Sequence, residues 1–442
     1  MEFKNKTVTL MGLGTQGGGV EDALFFIKSG VKKIIITDLK TKTQLDISVQ
    51  KINNSLHTIE SSKRPKIKWV LGNHKEKDFI NTDLVIKNPG VPPSSKYLSL
   101  AQKNNIPITT STNIFFDLFD NKKIIGITGT KGKSTTAQLI YEIVKTKYPS
   151  SAIAGIPGKS PLSLFNKTSN KFTAKWVILE LSSWDLEDMA YCKKSPHIAV
   201  ITNIEQDHLN RHKSFKNYVE AKKNIFKYQT KKDYLIINNN LKNITKNAPS
   251  NVIYFGNTTA KNTTPNKTYP ENINAAVCVA NILNINQKEI IEVLKNFKPL
   301  PGRLELAGEL AGIKIYNDTT ATNPYAALRA IESFGDKKIA LIVGGEDKGL
   351  DYSTLVKKLS KLHFVALLPG SASDKMYSNP NLQMHPNTTN IKRVENIKEA
   401  LKKCLNSKPD VILFSPAAAS FNMFLNEFER GKEFNKVVKS VI

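Results

Sequence analysis

The chain has 442 residues, too many for one ordinary hydrophobic core and enough for about three domains. Hydrophobic residues make up 40% and charged residues 23%, as in folded globular proteins, and the net charge of +26 comes from 64 basic residues of which only six are Arg, spread along the whole chain, which argues against a nucleic-acid partner. Apolar runs are only strand-length, no secretion-type h-region follows Met1, and Cys192, Cys278 and Cys404 are far apart and odd in number, so the expectation is a cytoplasmic protein with no membrane span, disulfide framework or zinc site.

Strand and helix patterns alternate from the start. Residues 7–11 read as a strand, 20–29 as a helix ended by Gly30, and 33–37 as a second strand ending at Asp38. Strands at 67–71 and 84–86 follow, then the turn Asn88-Pro89-Gly90. Such alternation implies a parallel sheet covered on both faces. Gly12-Leu13-Gly14-Thr15-Gln16-Gly17 with Asp38 is a weak dinucleotide fingerprint, which keeps an NAD-dependent dehydrogenase open as an alternative.

A second α/β unit starts at Ile124. Its strand runs into Gly129-Thr130-Lys131-Gly132-Lys133-Ser134-Thr135-Thr136 and a helix from about Ser134 to Lys147. A buried strand that delivers a glycine-rich loop to a helix start turns consecutive N–H groups and the positive helix end towards an anion. Lys133 is placed to reach the β- and γ-phosphates of ATP, and Ser134 or Thr135 a Mg²⁺ ion. The strict P-loop spacing is missed by one residue, since its first glycine belongs at Ile127. Further strands are expected at 176–180 and 198–202. Glu180 ends the first, where open sheets bind ligands, so it is a candidate Mg²⁺ carboxylate. Asp207 and His208 follow the second and can serve a second divalent ion or orient a base. Residues 240–270 read as loops and edge strands, with a helix around 274–283. A third unit opens near Pro301, with strands at 313–316, 338–343, 364–368 and 411–414.

Motifs in all three units resemble the Mur ligases of peptidoglycan synthesis. They are the Gly-Thr-x-Gly-Lys-Ser loop, Glu180-Leu181-Ser182-Ser183-Trp184-Asp185-Leu186-Glu187, Asp207-His208, Pro301-Gly302-Arg303, Asp318 to Asn323, Gly344 to Lys348, and Ser415 to Phe421. The Glu180–Glu187 segment is similar to the branch that adds D-glutamate to UDP-N-acetylmuramoyl-L-alanine. The resemblance implies a Rossmann-like N-terminal domain (1–112), a central P-loop ATPase-like domain (113–300) and a Rossmann-like C-terminal domain (301–442). It implies a monomer that forms an acyl phosphate with ATP and Mg²⁺. By the same resemblance, Lys133 binds the phosphates, Ser134 and Glu180 hold one Mg²⁺, and His208 with a carbamylated Lys222 holds a second. Asn274 meets the adenine, and Arg303 and Asp318 close on the nucleotide. Thr322, Lys348 and Ser420 contact D-glutamate, while Thr15, Gln16, Asp38, Lys40 and Asn88 face the UDP substrate.

The sequence also departs from the family pattern. A substrate-facing lysine is Thr320, Pro-His-Arg is Pro301-Gly302-Arg303, and Ile156 stands in place of an asparagine in Gly155-Ile156-Pro157-Gly158. These changes leave open a Mur-type ligase with a different amino-acid acceptor.

Overall fold

The computed structural model describes residues 2–61, 64–166, 171–207, 209–256, 268–383, 390–421 and 423–442. The first sheet contains β1 (Thr7–Met11), β2 (Lys33–Asp38), β3 (Lys66–Leu71), β4 (Leu84–Lys87) and β5 (Ile108–Thr109), all parallel, in the order β3-β2-β1-β4-β5. The helix Gly18–Lys28 packs closely on this sheet because Gly19 lies against the Leu13 backbone, where no Cβ fits. Its Phe25 and Phe26 rings meet Phe3 edge-to-face in the core.

In chain order the next strands are β6 (Ile124–Thr128), β7 (Ala152–Ala154), a short antiparallel hairpin of β8 (Phe165–Asn166) and β9 (Lys171–Phe172), β10 (Val177–Glu180), β11 (Ile198–Ile201), β12 (Tyr234–Asn238) and β13 (Asn251–Phe255). Apart from the hairpin they form a parallel sheet in the order β13-β12-β11-β6-β10-β7. Every residue of β6, β10 and β11 is buried, as continuous apolar runs in a sheet covered on both faces require. From β6 the chain goes to one edge and returns as β10, and β11 then pairs on the other side of β6. That reversal puts a crevice at the carboxyl ends of β6, β10 and β11.

The third sheet contains β14 (Glu305–Leu310), β15 (Ile313–Asn317), β16 (Ile339–Gly344), β17 (Phe364–Leu368), β18 (Ile391–Arg393) and β19 (Val411–Phe414), in the order β14-β15-β19-β16-β17-β18. Only β14 is antiparallel; it joins β15 through Ala311 and Gly312, at φ 49° and 80°, the positive-φ pair that a tight hairpin needs. Contacts gather the first two sheets into one compact unit and the third into another, and Glu205–Phe215, which follows β11 in sequence, belongs to the second unit.

The expected strands all form, within about two residues at their ends. The structure adds β5, β7, β8, β9, β12, β14 and β18. Five of these are only two or three residues long, too short to leave a readable period, and β14 carries a register shift between Leu306 and Gly308 that breaks its alternation. The helix expected around 274–283 begins earlier, at Pro270, which takes the first-turn position where its missing N–H costs nothing. Among the described residues, no helix is long and apolar enough to cross a membrane.

Candidate functional site

The glycine-rich loop leaves β6 and is held from the side by the end of β11. Thr130 N–H donates to the Asn203 carbonyl at 3.0 Å, and Lys131 N–H to Asn203 Oδ1 at 2.9 Å. Thr202 Oγ1 and Asn203 Nδ2 both donate to the Lys131 carbonyl, at 2.6 and 3.0 Å. Gly132 caps the helix Lys133–Lys147 at φ 85°, and a Cβ there would run into Asn272 Oδ1. The loop is therefore pre-formed as an anion cradle at a helix start. Lys133 folds back across it, its Nζ donating to the carbonyls of Gly129 at 3.0 Å and Thr130 at 3.2 Å. Ser134 is buried in the first turn, and Thr135 is half-buried beside it.

A second ammonium group reaches the same carbonyl. Lys222, on the helix Phe215–Lys227, is 1% exposed, and its Nζ lies 2.9 Å from the Gly129 oxygen and 3.3 Å from Thr128 Oγ1. One helical turn earlier, the Tyr218 ring lies 4.7 Å below this Nζ, and its hydroxyl is 3.0 Å from Thr130 Oγ1. Glu180 ends the neighbouring strand β10, is buried, and has one carboxylate oxygen, Oε2, without a hydrogen-bond partner. A buried carboxylate oxygen left unpaired is costly. An oxygen ligand of this kind fits a hard divalent cation. His208 lies outside the described residues, and among the described residues no three His, Cys, Asp or Glu side chains cluster.

Asn274 donates through Nδ2 to the Gly256 carbonyl, at the end of β13. Asn272, which sequence reasoning missed, is the helix residue that faces the loop, at Gly132. Residues two apart do not share a helix face, so the two asparagines have separate duties.

At the first sheet, both Asp38 oxygens are committed: Oδ2 accepts from Gly14 N–H at 2.9 Å and Oδ1 from Lys40 N–H at 2.8 Å. Asp38 thus braces the glycine turn, with a second lone pair on each oxygen still able to accept from a ligand. Gln16 and Lys40 are exposed and Thr15 half-buried. Gly12, at φ 91°, has room for no Cβ because Asn88 lies against it, and Asn88 Oδ1 accepts from Gly90 N–H at 3.0 Å. Gly17 packs on Gly158, joining this loop to the Gly155–Gly158 turn.

In the second compact unit, three motif loops leave the carboxyl ends of adjacent strands β15, β19 and β16 and are sewn together by the backbone. Ala417 N–H donates to the Ala321 carbonyl at 2.8 Å, and Glu346 and Ala419 exchange bonds of 2.9 and 3.0 Å. Asp318 accepts from Ser415 Oγ at 2.9 Å and from Leu304 N–H at 3.2 Å, beside the half-buried Arg303. Ser420 is 3% exposed and its hydroxyl has no partner. Thr322 is half-buried on the neighbouring loop. Lys348 pairs with Asp207 at 3.1 Å, and the other Asp207 oxygen accepts from Asn323 Nδ2 at 2.9 Å. Asp207, read from sequence as an ion ligand or base orienter, here holds a lysine. Two departures from the family pattern also prove to be neighbours: Thr320 donates through both N–H and Oγ1 to the Gly302 carbonyl, at 3.1 and 3.0 Å. Sequence reasoning also passed over Tyr218 and Arg430; helix spacing from Lys222 could have found the first, and nothing local marks the second.

A preformed phosphate loop on a parallel sheet, with an unpaired carboxylate oxygen nearby, defines a nucleotide-phosphate-binding α/β protein. Comparison with known proteins is more specific. Residues 127–308 match the Mur ligase middle domain and 302–418 the Mur ligase glutamate ligase domain. The chain is 34% identical to the UDP-N-acetylmuramoylalanine–D-glutamate ligase of Borreliella afzelii, over 99% of this chain and 98% of that one. It is 30% identical to the enzyme so named from Roseiflexus, over the full length of both. The fold is similar to UDP-N-acetylmuramate-alanine ligase from Thermotoga maritima, with a TM-score of 0.64 at 18% identity, covering 99% of this chain and 100% of that one. It is also similar to MurF ligase from the same organism in complex with ADP, with a TM-score of 0.59 at 17% identity, covering 94% and 97%. The chain belongs to the Mur ligase family.

Proposed function

We propose that this ligase joins D-glutamate to UDP-N-acetylmuramoyl-L-alanine in the cytoplasm, as a monomer, consuming ATP and releasing ADP and phosphate. The observation that carries the reading is the Gly129 loop, a glycine turn at a helix start with Lys133 folded across it and an unpaired Glu180 oxygen on the neighbouring strand. Full-length identity to D-glutamate ligases supports the choice of substrates. Domain limits of 1–112, 113–300 and 301–442 assign one role to each sheet: UDP substrate, ATP and acceptor.

A carboxylate is a poor electrophile, so the L-alanine carboxylate first takes the γ-phosphoryl group and becomes an acyl phosphate, with ADP leaving. Lys133 leaves the Gly129 and Thr130 carbonyls for the β- and γ-phosphates and offsets their charge. The N–H groups from Gly132 onward receive the remaining phosphate oxygens. The D-glutamate amine then attacks the acyl carbon, phosphate departs, and the nitrogen loses a proton as the amide forms. Ser134 and Glu180 would hold one Mg²⁺, and His208 with carbamylated Lys222 a second, supplying charge neutralisation at the transferring phosphoryl group. Carbamylation of Lys222 by carbon dioxide, with two protons lost from the ammonium nitrogen, would exchange that ammonium for an oxygen donor and release Gly129. Asn274, Arg303 and Asp318 attend the nucleotide, and Asp318 also accepts from Leu304 N–H beside Arg303. Thr15, Gln16, Asp38, Lys40 and Asn88 line the UDP end, where Asp38 also braces Gly14 and Lys40.

The test is phosphate release with ATP and the UDP-muramoyl substrate across a panel of amino acids. D-Glutamate should be the preferred acceptor. Because Thr320 replaces a lysine, another acceptor is the second reading, and preference for a different amino acid in the same panel establishes it.

A further inference from the structure

Arg430 is 2% exposed, and its guanidinium touches no carboxylate among the described residues. Its Nε donates to Thr319 Oγ1 at 3.1 Å, its Nη2 to the Thr319 carbonyl at 2.8 Å, and its Nη1 to the Ala418 carbonyl at 3.1 Å. Burial pulls its pKa down to about 10, and Glu427 counters this only in part. The residue also stands in the first turn of the helix Glu427–Lys439, the end at which the helix dipole disfavours a cation. A charge kept in such a place, with no carboxylate against it, is costly unless something answers it.

Its surroundings say what answers it. Thr319 belongs to the loop that carries Thr322, and Ala418 to the loop that carries Ser420, whose hydroxyl lacks a partner. The neighbouring Lys348 is already matched by Asp207, and position 320 is a neutral threonine bound to Gly302. Arg430 is thus a positive charge with no carboxylate in contact and only partly answered by Glu427, behind two loops proposed to receive a dicarboxylic amino acid.

We infer that Arg430 is a positioning and selectivity residue of the acceptor site, clamping these two loops and giving the pocket a fixed positive charge that favours acceptors with two carboxylates. This rests on the proposed reading of these loops as the acceptor site. The charge acts through the loops, so no contact between Arg430 and the acceptor is required.

The test uses the full chain with ATP and the UDP-muramoyl substrate, varying D-glutamate, with glutarate and butyrate as two-carboxylate and one-carboxylate inhibitors. Arg430→Met should raise the KM for D-glutamate about ten-fold or more, leave the KM for ATP within about two-fold, and shrink the preference for glutarate over butyrate. Arg430→Lys keeps the charge without the three-way clamp, so it should keep that preference while lowering kcat. A fall in kcat or melting temperature with KM and preference unchanged in Arg430→Met overturns the proposal and leaves a purely structural staple. If the Met variant does not fold, the Lys variant decides: loss of the preference there overturns the proposal. Should the wild type turn over another amino acid and not D-glutamate, the function reading fails, while the glutarate-to-butyrate ratio in wild type and variants still decides the role of Arg430.

Discussion

At the residue scale, two of the eight buried side-chain atoms without partners among the described residues, Glu180 Oε2 and Ser420 Oγ, belong to residues expected to meet the metal ion and the acceptor. Glu180→Gln replaces a buried carboxylate, one oxygen of which has no hydrogen-bond partner, by a neutral amide. Its melting temperature should therefore equal or exceed that of the wild type while ADP formation is lost, a trade of stability against activity measurable by thermal denaturation and a coupled assay. Lys133→Ala should abolish ADP formation for a different reason: its amine is already at the loop and has only to exchange two carbonyls for phosphates. Retained turnover would remove Lys133 from the mechanism. Lys222→Ala should be inactive and partly rescued by short carboxylic acids, which can occupy the space of the proposed carbamate. Full activity without them would dismiss the modification.

At the scale of elements, the phosphate loop is shaped by three separate supports: β6 delivers it, Thr202 and Asn203 after β11 hold its flank, and Asn272 of the helix Pro270–Ile282 closes on Gly132. Gly132→Ala meets both a positive φ and Asn272 Oδ1. The left-handed backbone alone should cost roughly 1–2 kcal/mol. The expected outcome is a raised KM for ATP together with a lowered melting temperature. Pairing it with Asn272→Gly, which opens the space but leaves the backbone strain, should recover part of the ATP affinity. The loop motif was legible in the sequence because strand, glycine turn and helix are local. Its supports were not, since Asn203 and Asn272 lie some seventy and one hundred and forty residues from it, and no periodicity links them.

At the scale of the whole molecule, buried carboxylates join the first two sheets within one compact unit. Lys87 pairs with Asp188 at 2.6 Å, both nearly unexposed, and burial raises Asp188 to about 6 although Lys87 pulls it down. Asp22 receives a hydrogen bond from Ser160, and burial pushes it up to about 7; Ser160 and Ser111 lower it, and the charges of Glu21 and Asp185 raise it further. A carboxyl whose folded pKa lies above its ordinary value of 3.8 binds a proton in the folded state that the unfolded chain releases. Its contribution to stability is full below that value and is lost as pH rises through about 7. Asp22→Asn should therefore be more stable relative to the wild type at pH 8 than at pH 5, read as the difference between the two melting curves. A pH-independent difference would show that Asp22 keeps the same protonation state throughout.

The sequence by itself determined the three α/β units, the glycine-rich loop that carries Lys133 and Ser134 to a helix start, and the strand-end position of Glu180, because each is written in contiguous residues whose local geometry follows from period and glycine placement. Only the tertiary structure decided that Asp38 braces Gly14 and Lys40, that Asp207 holds Lys348, that Lys222 reaches Gly129, and that Gly302 and Thr320 are partners. The physical reason is that a carboxylate's or an amine's role depends on which donors, acceptors and charges surround it. Those neighbours are brought together by strand order and helix packing, from positions far apart in the chain.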